Sequence, residues 1–179
     1  MTDSVENRLS ENQQRVRDYL VTQAEQRDWI ELWPRTIVER GMILQLIDRM
    51  SDTQADWAPS DEEWSTRQII EHLLAWSRET LQLVEDLAAG RPEDMREQPP
   101  ETKAPISFSR LRKHLAEHSV KLASLPERLP PMVNLDLTSP QGNFGELNSR
   151  SWFLFIRVHD TDHRQQIEAI IAADGYPEA

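Results

Sequence analysis

The chain has 179 residues, of which 38% are hydrophobic and 28% charged, and its formal net charge is −11. That length suffices for one domain with its own core, and so acidic a chain is a poor partner for nucleic acid. The absence of cysteine excludes disulfides, thiolate metal sites and a cysteine nucleophile. No apolar run approaches the roughly 20 residues that span a bilayer, and the N-terminal segment lacks the pattern of a signal peptide. We therefore expect a cytoplasmic protein without a membrane or nucleic-acid partner.

In chain order, residues 1–33 predict an additional helix that is only weakly amphipathic. The next helix is expected near 35–50, with Pro34 in its first turn. A long one-sided helix follows from Trp64 onward and ends at Gly90, since glycine suits a helix terminus. The apolar stripe of the helix near 35–50 consists of Val38, Met42, Ile43, Leu46, Ile47 and Met50.

The second half of the chain predicts two more helices. One runs from Phe108 to Leu125 with apolar steps of three and four, and Pro126 closes it. The last begins near Asn148 or Ser149, both of which are good N-caps. The long segment 126–148 between them is expected to hold a short extended piece across one end of the helices.

Four amphipathic helices can share one core, so the fold class predicted is all-α, an up-down-type four-helix bundle. The expected domain organisation is a helical extension over 1–33 and the bundle over 34–179. The polar, proline-rich stretches 51–63 and 90–106 are expected to be surface loops.

Four of the five histidines form pairs spaced i, i+4, namely His114 with His118 and His159 with His163. Side chains at this spacing lie on one face of a helix, where two neutral imidazoles can share a metal ion. The 159/163 pair continues an apolar stripe that includes Ile167, so both rings should face the core, where they need partners. A solvated pair on a helix surface is the alternative for either one.

The remaining candidates differ in placement. His114 lies partly off its apolar seam, whereas His118 lies on it, and a core-edge histidine bonded to one neighbour is the plainer interpretation of His118. His72, beside Leu73 and near Ile69, is the candidate third ligand, with a lone core histidine as its alternative. Three imidazoles from two helices leave an open position for water or substrate, as in catalytic zinc sites, and also accept nickel, cobalt, copper or iron.

Two aspartates accompany the second pair. Asp160 and Asp162 are expected to be solvated or to orient a ring rather than to bind the metal. The run from His159 to His163 also resembles the zincin H-E-x-x-H with Asp in place of Glu, but the shorter acid and the lack of a convincing third ligand downstream disfavour a peptidase. Serine-hydrolase, P-loop and dinucleotide motifs are not found.

Two longer motifs carry a family resemblance. Residues 63–73 (EWSTRQIIEHL) resemble the W-S-x-x-x-x-x-x-H-L pattern of the DinB-like superfamily, and residues 144–167 resemble its G-x-L … H-D-x-x-H-x-x-Q-I end. The similarity covers roughly 35–175. It implies a four-helix bundle in which His72, His159 and His163 hold a divalent metal, and usually a homodimer. We expect zinc or nickel as that metal.

The resemblance also indicates a type of activity. Similar proteins include thiol S-transferases that use low-molecular-weight thiols, among them mycothiol-dependent maleylpyruvate isomerases. Because a metal with an open position can lower the pKa of an external thiol, we expect a metal-dependent enzyme acting on small electrophiles, with a thiol as cosubstrate. Metal-assisted hydrolysis of a small substrate, or a non-catalytic bundle with a structural metal, are the alternatives.

Two further residues are candidates near such a centre. Trp76, one turn beyond His72, is expected to wall the pocket, with a plain core aromatic as its alternative. His118 is a candidate proton donor or acceptor, since histidine titrates near neutral pH.

The oligomeric state is predicted from the amount of apolar surface in the chain. Trp29, Trp33 and Trp57, together with the N-terminal helix, supply more apolar area than a small bundle readily covers. We expect a homodimer, with packing back onto the same bundle as the alternative.

Overall fold

The computed structural model describes residues 10–91 and 106–178. The predicted loop over 90–106 and the first nine residues of the predicted N-terminal helix therefore lie largely outside the described residues. The described elements, in chain order, are α1 (Glu11–Gln26), α2 (Trp29–Leu46), α3 (Asp52–Asp56), α4 (Thr66–Ala88), α5 (Phe108–Ala123), α6 (Leu125–Arg128), β1 (Thr138–Gln141), β2 (Gly145–Asn148) and α7 (Ser149–Ala172).

Helices α2, α4, α5 and α7 form a four-helix bundle, which confirms the all-α class. Helix α7 packs against α2 and α4, while α5 packs against α4 and α2 on the opposite side. The order around the bundle is therefore α2, α7, α4, α5, and the helices α2 and α4 lie across the core from each other. In a simple up-down bundle these two would be neighbours; here the segment 47–65, which includes α3, separates them along the chain. Helix α1 packs on the outside of α7.

Local capping sets where the two histidine-bearing helices begin. The hydroxyl of Ser65 accepts a hydrogen bond from the backbone N–H of Gln68, whose side chain accepts one from the Ser65 N–H in return. Asn148 caps α7 by accepting from the Ser151 N–H at 3.0 Å, as the sequence predicts. Gly90 follows α4 with φ of 69°, the left-handed conformation expected of a terminating glycine.

Helix α2 begins at Trp29, six residues before the predicted start near residue 35. Asp28 and Glu31 form a capping box, so the helix starts at Trp29 and Pro34 lies inside it rather than in its first turn. The carbonyl that Pro34 leaves without a helical partner belongs to the exposed Ile30, where water can reach it. A domain boundary at residue 34 would fall within this continuous helix.

The apolar stripe predicted for α2 is wrong in part. Ile43, Ile47 and Met50 are buried, but Val38 and Met42 are 58% and 37% exposed. The face that α2 turns to the core includes Leu32 and Thr36 instead, together with the charged side chain of Arg40, which is 1% exposed.

The tryptophans that favoured a dimer are covered within the chain. Trp29 is buried, and its ring centroid lies 5.1 Å from that of Phe153. The indole N–H of Trp33 donates to the carbonyl of Ala123 at 2.8 Å. Trp57 is half-buried and meets the Tyr176 ring edge-on at 5.5 Å. These three residues therefore do not require a second chain.

The expected extended piece is an antiparallel hairpin just before α7. Strands β1 and β2 pair with Ser139 opposite Leu147, and Leu147 is buried in the core. The Trp152 indole N–H donates to the Ser139 carbonyl at 3.2 Å, which ties the hairpin to α7. Pro126 does not directly follow α5, since Ser124 intervenes and Pro126 lies in the short α6. Among the described helices, none has the length and apolar character needed to cross a membrane.

Candidate metal centre

Three imidazoles from two neighbouring helices meet at one point. His72 lies on α4, while His159 and His163 lie one turn apart on α7. The Nε2 atom of His159 lies 3.0 Å from that of His72 and 3.3 Å from that of His163. The ligand atoms of all three residues lie within 4.8 Å of one another. The structure thus brings together the three residues predicted as metal ligands.

These separations fit the donor set of a transition-metal ion. Zinc–nitrogen bonds of about 2.0–2.1 Å at tetrahedral angles place two ligand nitrogens about 3.3 Å apart. The two Nε2 separations at His159 are close to that value. Three imidazoles leave at least one coordination position open, as in catalytic rather than structural zinc sites.

A hydrogen bond to Gln166, which lies outside the cluster, fixes the tautomer of the His163 ring. The side-chain oxygen of Gln166 accepts from Nδ1 of His163 at 2.7 Å. In the neutral form that binds a metal, the proton of this ring is therefore on Nδ1, which leaves the Nε2 lone pair for the cluster. Such outer partners orient metal-binding histidines and raise their basicity.

The electrostatics of the cluster favour neutral rings. Burial, followed by the neighbouring imidazoles of His163 and His72 and the charge of Arg40, lowers the pKa of His159 to about 3. Burial likewise lowers the pKa of His72, with a contribution from His163. Neutral imidazole is the form that binds a metal, so these two rings are in their binding form at neutral pH.

Two tryptophans flank the cluster. Trp76 stacks on His159 with ring centroids 3.9 Å apart, so it lies where the sequence predicts a wall, and its other neighbour is the edge of Phe155. Trp64 is 47% exposed, and its ring is nearly parallel to that of His163 at 6.2 Å and edge-on to His72 at 5.2 Å. The exposure of Trp64 places the cluster near the protein surface.

A buried ion pair links the three helices behind the centre. Arg40 on α2 donates to both carboxylate oxygens of Asp160 at 2.9 and 2.8 Å, and to the hydroxyl of Ser77 on α4 at 2.8 Å. Asp160 is fully buried, so the expectation that it is solvated is wrong, and its carboxylate bonds to Arg40 rather than to an imidazole. Asp162 is exposed, as expected. Because Asp160 adjoins His159, the pair restrains α7 against α4 at the level of the cluster.

His118 is not brought to this cluster. It lies on α5, across the bundle from α7, and makes no hydrogen bond or ring contact with the three histidines within the described residues. Its neighbouring charges are those of Arg40, Arg78, Lys121 and Arg128. A proton-transfer role for His118 at the cluster therefore has no geometric support. His114, one turn earlier on α5, is half-buried and also lies apart from the cluster.

Comparison with known proteins bears on the same residues. The family model of the DinB superfamily matches residues 36–167, which include all three clustered histidines. The chain belongs to the DinB superfamily. The chain is similar to the uncharacterized protein YuaE of Bacillus subtilis (strain 168). The two are 27% identical over 143 residues, which cover 68% of this chain and 85% of YuaE. No solved structure matches the chain.

The sequence does not indicate the roles of several residues that surround the three histidines. Trp64 and Gln166 belong to the motifs that carry the resemblance, but nothing in their spacing indicates that one flanks two ligands and the other bonds a third. The Arg40–Asp160 pair joins residues 120 positions apart. The sequence feature that could have indicated this pair is Arg40, a charged residue within the apolar face of α2.

Proposed function

We propose that this DinB-superfamily chain is a metal-dependent enzyme whose divalent ion, zinc or nickel, is held by His72, His159 and His163. The observation that carries the proposal is the convergence of three imidazole nitrogens at near-ligand separations. Without a shared cation, lone pairs and N–H groups of three rings would meet with few complementary partners. His159 illustrates this, because its Nε2 lies 3.0 Å from that of His72 and 3.3 Å from that of His163, and each such pair of nitrogens can share only one proton.

The reaction we propose is transfer of a small thiol to an electrophile. A bound divalent ion would supply Lewis acidity, which lowers the pKa of a coordinated thiol or water. The chain has no cysteine of its own, so the thiol has to be an external cosubstrate. Transfer breaks the S–H bond of the thiol and forms a bond between its sulfur and the electrophilic carbon of a small-molecule substrate. When that carbon belongs to a polarised double bond, the π electrons move to the neighbouring atom, which takes up the proton.

The surrounding residues have separate parts in this proposal. Gln166 holds the His163 ring in one tautomer, and Trp76 shields one face of His159 from water. Trp64, at the exposed side, is placed to contact the apolar part of a bound substrate. No general acid or base is assigned, because His118 lies elsewhere.

Metal analysis of the purified protein is the first test. We expect about one divalent ion per chain, lost for the most part in His159→Ala and retained in the matched control His114→Ala, whose ring lies outside the cluster. Full metal content in His159→Ala would overturn the ligand assignment.

A turnover panel is the second test. The metal-loaded protein is assayed with small thiols plus electrophiles, and separately with ester and amide substrates. Thiol-dependent turnover supports the transferase. Hydrolysis without any thiol requirement would replace it with a hydrolase, and metal binding without turnover or ligand exchange would assign a structural metal.

A cytoplasmic homodimer belongs to the same proposal. The support for the homodimer is an exposed apolar stripe along α2, formed by Ile30, Val38 and Met42 at helical spacing. Apolar side chains so arranged on an outer helix face are typical of a surface that associates.

A further inference from the structure

A candidate binding site lies away from the metal centre, at residues to which the metal proposal assigns no role. It is a groove of about 400 Å³ between α4, α5 and α6, a size within the range of about 300–1,000 Å³ for small-molecule sites. None of the three clustered histidines lines it. Its polar lining consists of Arg78, Gln82, Glu85, His118, Lys121 and Arg128.

The groove is cationic in an acidic chain. Arg78, Lys121 and Arg128 bring three positive charges, and Glu85 is the one acid among the lining residues. Glu85 accepts two hydrogen bonds from Arg128, at 3.0 and 2.6 Å, so its charge is already paired. Arg78 and Lys121 make no ion pair with any residue in the described ranges. The local excess of positive charge contrasts with the net charge of −11 for the whole chain.

A buried polar side chain lines the same groove. His118 is only 5% exposed, and its Nδ1 has no hydrogen-bond partner in the described part of the chain. That nitrogen is also closed to solvent, so a ligand in the groove would meet the rest of the imidazole ring rather than Nδ1. The charges nearest to it are cationic, so an anion is the ligand that would balance this corner of the bundle.

We propose that this groove is a second ligand site, which binds the phosphoryl group of a small molecule. Arg78 and Lys121 supply the charge and the hydrogen-bond donors, whereas the guanidinium of Arg128 is already bonded to Glu85 and Ser124. Leu81 forms an apolar wall, which favours an organic phosphate over the free ion. The site is independent of the metal centre and of the activity proposed for it.

The test is calorimetric titration of the full-length protein with phenyl phosphate and with inorganic phosphate. We expect saturable binding that weakens as salt is added. Tighter binding of phenyl phosphate assigns the groove to an organic phosphate, and equal affinities assign it to free phosphate. Arg78→Ala and Lys121→Ala should each weaken binding about tenfold or more.

Controls separate this site from others. Lys113 lies on α5, as Lys121 does, but it is outside the groove and pairs with Glu117. Lys113→Ala should therefore bind phosphate as the parent does. His159→Ala should also retain binding, because the metal centre takes no part. As a second readout, the ring resonances of His118, assigned by their loss in His118→Gln, should shift during the titration. Binding of neither phosphate, unchanged affinity in both Arg78→Ala and Lys121→Ala, or loss of binding in His159→Ala would each overturn the proposal.

Discussion

Arg40 and Asp160 form a bidentate ion pair inside the bundle, with side chains 1% and 0% exposed. Burial raises the pKa of the Asp160 carboxyl, and the guanidinium of Arg40 opposes that rise. Two charges removed from water are tolerated only as a pair, so losing either one leaves the other uncompensated.

The first prediction concerns this pair. Asp160→Ala should lower the free energy of unfolding by about 3–5 kcal/mol, since it strands the buried guanidinium. Urea denaturation measures the change, and Asp162→Ala, two residues away and exposed, is the matched control. The double variant Arg40→Met/Asp160→Leu should recover much of the loss. An equal decrease in the free energy of unfolding in Asp160→Ala and Asp162→Ala would show that the buried pair stabilises the fold no more than an exposed aspartate does.

The second prediction concerns the tautomer of His163. Gln166→Leu removes the acceptor of its Nδ1 proton, so metal affinity should fall about 10- to 100-fold while the fold is kept. Competition with a chromophoric chelator measures the affinity. Gln165→Leu, the exposed neighbour, should leave it unchanged; if both variants bind metal as the parent does, the hydrogen bond has no part in ligation.

The third prediction concerns stability and pH. Burial, followed by the charges of Arg40, Arg78, Lys121 and Arg128, lowers the pKa of His118 from 6.5 to about 4. Between these values the unfolded chain binds a proton that the folded chain does not. The contribution of His118 to stability is therefore full above about pH 6.5 and is lost as pH falls toward 4, by up to about 3 kcal/mol.

Urea titrations of the metal-free protein across this pH range measure that dependence. His118→Gln should flatten the fall in stability relative to the parent. His114→Gln, which removes a histidine one turn earlier on the same helix, should leave most of the fall in place. A parallel pH dependence in the parent and in His118→Gln would contradict the prediction.

The fourth prediction concerns assembly. If α2 forms the dimer contact, Val38→Glu should shift the protein to monomer in sedimentation at micromolar concentration, because it buries a charge in the contact. Val120→Glu changes another exposed valine, on α5, and should leave the dimer intact. A monomeric parent protein, or a dimer unaffected by Val38→Glu, would rule out this contact.

The sequence by itself determined the helices that carry the centre. Their apolar residues recur at helical spacing, and their ends carry local capping residues, Ser65 for α4 and Asn148 for α7. The positions of His159 and His163 follow from these local rules, since residues four apart share a helix face. His72 was indicated as the third ligand by its position beside Leu73 and near Ile69, and then by the family motif that contains it.

Only the tertiary structure decided which faces meet. Local periodicity orients a helix to within one broad face, and it cannot say which neighbour that face contacts. Asp160 illustrates the limit, because its burial depends on Arg40, 120 residues away, and an unpaired aspartate would have remained in water. His118 faces the core as its seam indicates, yet α5 lies across the bundle from α7, so the ring reaches a cationic groove instead of the three histidines. Long-range pairing of charges and the order of helices around the core are properties of the packed chain, and no local segment encodes them.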